Sequence, residues 1–127
     1  MLEPFLYTSI YKFSNNQMPI TALEKEWSKN LFQKRAREYS LSRGYARNML
    51  SLIYKIPPLE IPLNSPPGKI PKMGNNLGFL SISHCKNAAL ISLSQYPVGV
   101  DIERKNRDFL ARKILNKYYS EEEKKLL

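Results

Sequence analysis

The chain has 127 residues, 43% of them hydrophobic, with a single cysteine, a single histidine and a formal net charge of +9, which describes one domain with an ordinary globular core. One cysteine excludes an intramolecular disulfide and a cysteine-based zinc site, and one histidine excludes a multi-histidine centre, so any divalent metal falls to carboxylates. No stretch approaches the ~18 continuous apolar residues of a membrane span, and MLEPFLYTSIYKF offers neither a basic start nor a long apolar run; the expectation is a single cytoplasmic domain over residues 1–127 with no membrane partner.

The basic balance favours an anionic partner: nucleic acid, a phosphorylated cofactor, an acidic protein or a membrane surface. Residues 1–72 carry 11 Lys/Arg against 5 Glu, whereas residues 73–127 carry 9 Lys/Arg against 6 Asp/Glu. The excess therefore lies ahead of the apolar runs.

In chain order, YTSIYKF alternates apolar and polar residues and reads as a short strand. Thr21 followed by Glu24 is a capping-box signature, and Ile20, Leu23, Trp27 and Leu31 recur at helical spacing. After KRAR, the stripe Leu41, Tyr45, Met49 and Leu52 predicts a second helix over about residues 38–55, stopped by Pro57 and Pro58. Arg43 and Arg47 share one face of that helix, displaced from the stripe. They read first as a solvated basic face and second as a pair converging on one anion. From Asn64 to Gly78, NSPPGKIPKMGNNLG is too rich in Pro, Gly and Asn for helix or central strand and reads as a long loop. FLSIS and AALISLS form a hairpin around HCKN, and PVGVDIE supplies a third strand, giving a sheet over about 79–84, 88–94 and 97–103. Arg107 to Tyr119 reads as a helix, and another opens at Ser120. The predicted class is α+β, an antiparallel sheet packed by helices.

Asp101 and Glu103 sit two residues apart on the predicted third strand and point to one face. Two carboxylates that close repel unless a cation screens them, and Mg²⁺ is typically held by one or two carboxylates with substrate phosphates. An exposed strand end paired with Arg104 or Lys105 is an equal reading of that pair. The lone His84 reads as either a satisfied core histidine or a phosphate contact, and Cys85 as a small packed residue without an activating partner.

The order of motifs narrows these alternatives. G-K-I-P, then S-I-S-H with His84 fifteen residues after Lys69, then V-G-V-D-I-E with Asp101 seventeen residues after His84, resembles the Sfp-type 4'-phosphopantetheinyl transferases. The resemblance covers roughly residues 30–127, including Y-S-E-E-E, which is similar to the start of the family's third motif; residues 1–30 match loosely. It implies transfer of the phosphopantetheine arm of coenzyme A to a serine of an acyl or peptidyl carrier protein, with Mg²⁺. It assigns Asp101 and Glu103 as catalytic metal ligands, Ser83 and His84 to the 3'-phosphate of coenzyme A, and Lys69 to another phosphate. Ile70 intervenes before Pro71, which leaves Lys72 as the alternative to Lys69. Lys34, Arg35 and Arg37 fall where the family has basic residues near the nucleotide. The family continues into a W-x-x-K-E motif and a second subdomain. Because the chain ends at Leu127, the expectation is one subdomain of a two-subdomain fold, with residues 104–127 leading toward the other, incomplete alone and completed by further sequence or by a homo-oligomer. The competing class is a non-catalytic basic module for nucleic acid or another polyanion, since KRAREYSLSRGYAR interleaves Tyr with Arg. No named nucleic-acid motif supports it.

Overall fold

The computed structural model describes residues 5–97. Strand β1 (Leu6–Lys12) is followed by helices α1 (Ala22–Lys29) and α2 (Gln33–Tyr54), a 3-10 turn over Pro58–Glu60, short strands β2 (Leu63–Asn64) and β3 (Lys72–Met73), and the hairpin β4 (Phe79–His84) and β5 (Ala88–Ser94). The class is α+β. A three-stranded antiparallel sheet has the order β1-β5-β4, and β2 pairs with β3 in a second, two-stranded ladder.

The capping box forms as the sequence predicts. The Glu24 amide donates to Thr21 Oγ1 at 3.2 Å, and Glu24 Oε1 accepts the Thr21 amide at 2.9 Å, which satisfies donors that the first turn of α1 otherwise leaves free. Of the expected stripe, Ile20 is buried and Trp27 and Leu31 are half-buried, whereas Leu23 is 57% exposed. The residue α1 buries is Glu24.

Helix α2 starts earlier than periodicity suggests, because the polar KRAR segment forms its first turns. It stops at Lys55 in the left-handed region, φ 57°, just before Pro57 and Pro58. Leu41, Tyr45, Ala46, Met49 and Leu50 face the sheet and meet Leu80, Ala89, Ile91 and Leu93, with Ile61 and Leu63 closing one side. Leu52, expected in this stripe, is 72% exposed; Leu50 takes the buried position. Gly44 lets the chain before α1 approach closely, since a Cβ there would lie 2.8 Å from Met18 Cβ. Tyr45 stacks on Tyr11 with ring centroids 5.1 Å apart, tying α2 to β1.

Three further differences concern the sheet. Its third described strand is β1, in full register along β5 from Leu6↔Ser94 to Lys12↔Ala88. The strand expected at 97–103 and the helices expected from Arg107 onward lie outside the described residues. The loop expected over residues 64–78 is interrupted by the β2–β3 ladder, which pairs Leu63 with Met73 and Asn64 with Lys72.

Candidate anion-binding site

His84 closes β4 opposite Ala89, on the face that carries Leu80, Ile82, Ile91 and Leu93 toward α2. Its Nδ1 is buried and has no hydrogen-bond partner among the described residues. Burial pushes the imidazole below its usual range; Arg43 and Arg35 push the same way, and Glu38 opposes them. Arg35, Glu38, Tyr39, Ser42 and Arg43 recur at three- and four-residue intervals, so one face of α2 is turned to this end of the strand.

Arg43 is 5% exposed and is not the solvated cation expected from spacing. Its guanidinium lies over the Tyr39 ring, 4.5 Å from the centroid, and Nη1 donates to Ser42 Oγ at 3.1 Å. Nε reaches Ser65 O at a long 3.4 Å. Among the described residues no carboxylate lies within ion-pair distance of Arg43, and burial presses its pKa downward. Tyr39 is not available as an acid or base: burial raises its hydroxyl to about 12, and that hydroxyl donates to Ser65 O at 2.8 Å. Ser65 is buried, with its own Oγ unpartnered among the described residues.

Arg47, four residues on, is the correction to the paired-anion reading. It is 2% exposed, and its counterion is Glu24: Nε donates to Oε1 at 2.8 Å and Nη2 to Oε2 at 3.0 Å. The guanidinium also donates to the carbonyls of Pro58, Ile61 and Leu63. Its charge is spent inside the protein, which leaves Arg43 as the buried cation that meets no acid among the described residues.

Ser65 opens the segment that carries both candidate lysines. Lys69 and Lys72 line one cleft of about 420 Å³ with Asn64, Pro66, Gly68 and Ile70. Lys34, Arg35 and Arg37 are exposed in the first turns of α2. Arg37 turns to the β4–β5 turn, donating to Lys86 O at 3.4 Å and lying 5.8 Å from the Phe13 ring centroid. Ser83 precedes His84 in an extended strand and pairs with Leu90, so the two side chains leave opposite faces of the sheet. The structure therefore places His84 within the electrostatic reach of Arg43 and Arg35 and brings Lys69 to Lys72, but does not bring Ser83 to the side of His84. Asp101 and Glu103 lie outside the described residues.

Tyr39 and Tyr45, the aromatic members of KRAREYSLSRGYAR, are buried, as are Arg43 and Arg47. Those two rings are therefore not available to stack on bases, whereas Lys34, Arg35 and Arg37 of the same segment are exposed. No helix among the described residues is long and apolar enough to cross a membrane, and no group of three His, Cys, Asp or Glu among them could hold a metal ion. Set against protein-family models, curated proteins and solved structures, the chain matches none of them.

Proposed function

We propose that this protein binds coenzyme A through its 3'-phosphate and takes part in transfer of the 4'-phosphopantetheine arm to a serine of an acyl or peptidyl carrier protein. The observation that carries this reading is the buried Nδ1 of His84, unpartnered among the described residues and under the charge of Arg43, a buried guanidinium with no carboxylate within ion-pair distance among those residues. Buried cations are ordinarily paired, and an unpaired one suits a ligand that brings the charge. A phosphate monoester does so, and its oxygens accept from a guanidinium and from an imidazole N–H alike.

The order G-K-I-P, S-I-S-H, V-G-V-D-I-E supports coenzyme A over other phosphates by resemblance. In the transfer, the carrier serine oxygen forms a bond to the phosphorus bearing pantetheine, the bond to the bridging oxygen breaks, and 3',5'-ADP leaves with that oxygen. The serine proton departs to a base or solvent. Arg43, His84, Lys69 and Lys72 would hold and orient the nucleotide end. By resemblance Asp101 and Glu103 would hold Mg²⁺, which neutralises charge on a diphosphate when bound.

Calorimetric titration with coenzyme A and dephospho-coenzyme A tests the phosphate assignment. A charge-assisted hydrogen bond is worth about 1.5–3 kcal/mol, so Arg43→Met and His84→Asn should each weaken coenzyme A by roughly 10- to 150-fold and dephospho-coenzyme A far less. Equal losses for both ligands would reject the site. Mass spectrometry of an apo carrier protein incubated with coenzyme A, Mg²⁺ and the protein reads the transfer itself.

A further inference from the structure

The corner where α1 gives way to α2 holds an exposed aromatic ring among cations, and the packing of the fold does not use it. Phe32 is 88% exposed and sits at the N-cap of α2 without a capping hydrogen bond, a position where Ser, Thr, Asp or Asn would satisfy a free amide. The first turn has no acidic residue; Lys34 and Arg35 stand there, exposed, where the helix dipole favours anions. Lys25 and Lys29 add two exposed cations on one side of α1, with Glu26 pairing Lys29 at 2.8 Å. The choices at the start of α2 work against its stability. Arg35 lies about two helical turns before Arg43 on α2, so this corner borders the candidate site.

We propose that the corner is a docking surface for an acidic protein face, with Phe32 entering an apolar depression on the partner and Lys29, Lys34 and Arg35 meeting carboxylates around it. Charge complementarity and one anchoring ring ringed by cations are the features of a small protein contact. Single-strand nucleic acid would ask for successive exposed rings along a track, and the next aromatics of α2 are buried. A membrane interface would ask for a broad apolar face, whereas Ser28, Lys29 and Asn30 lie before the corner and Gln33, Lys34 and Arg35 after it. In the transferase reading, on which the choice of partner rests, the docked protein is the carrier whose serine must reach the neighbouring site.

Fluorescence anisotropy of labelled apo acyl carrier protein, titrated with the full chain, tests the surface. Phe32→Ser removes no buried contact, and Lys34→Glu reverses one exposed charge. Each should weaken carrier binding about 10-fold or more, with coenzyme A affinity of Phe32→Ser unchanged. Equal carrier affinity for all three proteins would overturn the proposal. So would absence of carrier binding, or binding of phosphatidylglycerol vesicles or an oligonucleotide that depends on Phe32 while carrier binding does not. If coenzyme A fails to bind while the carrier still binds through Phe32, the transferase reading falls and the docking surface stands.

Discussion

Glu24→Gln keeps the shape of a buried side chain and removes one charge. Gln at this position still closes the capping box with Thr21, so α1 retains its start. Arg47 changes most: its Nε and Nη2 lose a carboxylate held at 2.8 and 3.0 Å, and an amide NH₂ now stands where an oxygen accepted. The carbonyls of Pro58, Ile61 and Leu63, at 3.0, 3.0 and 3.1 Å, keep the guanidinium in place. The cation therefore stays buried and uncompensated. Breaking a buried pair from one side costs about 3–5 kcal/mol, against a total stability of about 5–15 kcal/mol for a domain. At ~4 °C per kcal/mol for a chain of this size, the thermal midpoint should fall by about 12 °C or more. Urea denaturation followed by far-ultraviolet circular dichroism measures the loss directly. The double variant Glu24→Leu, Arg47→Met should lose less than the sum of its singles, because no unpaired charge remains. A loss under ~1 kcal/mol for Glu24→Gln, with additive singles, would show that water or another group neutralises Arg47 and would refute the pairing argument.

His84 gives stability a pH dependence whose sign follows from its environment. Burial holds its folded pKa below the unfolded value near 6.5, so the unfolded chain binds more protons, and the contribution present above about pH 6.5 is lost as pH falls through the folded value. Urea midpoints at about pH 7.5 and pH 5.5 should differ more for the native protein than for His84→Asn; matching differences would place the imidazole in water. Gly44→Ala should destabilise although it favours helix by ~0.5–1 kcal/mol, because the new Cβ meets Met18 Cβ at 2.8 Å and Met18 O at 2.9 Å. Overpacking of this kind costs about 1–3 kcal/mol, while Leu52→Gln, on the exposed side of the same helix, should stay within ~0.5 kcal/mol. A raised thermal midpoint for Gly44→Ala would show that the chain before α1 yields.

Local signals were the legible ones. The β4–β5 hairpin falls where alternating runs around HCKN placed it, and α1 begins at Thr21 because a capping box is decided within four residues. The end of α2 was equally local, since Pro57 and Pro58 forbid continuation. Its beginning was not, because KRAR has no apolar period to read and is helical by continuity with the packed turns after it. The existence of β1 was readable, but its partner was not: pairing Leu6 with Ser94 closes a loop spanning most of the chain. Asp101 and Glu103 rest on motif order alone.

The two arginines of α2 show what spacing leaves undecided. Four residues apart on one helix face, Arg43 and Arg47 have the same local sequence signal, and surface base rates assign both to solvent. Segments distant in sequence decide otherwise. Glu24 is brought under Arg47 by the packing of α1 on α2, so one guanidinium is neutralised within the fold, while Arg43 is covered by Tyr39 and Ser65 and receives no acid from the described residues. An arginine buried without a counterion is a cost to the unliganded protein, and a ligand that binds the native state alone offsets it by mass action. The anion proposed for Arg43 and His84 thus occupies the place that Glu24 takes beside Arg47: one arginine serves the fold, and its neighbour one turn away is left for what binds.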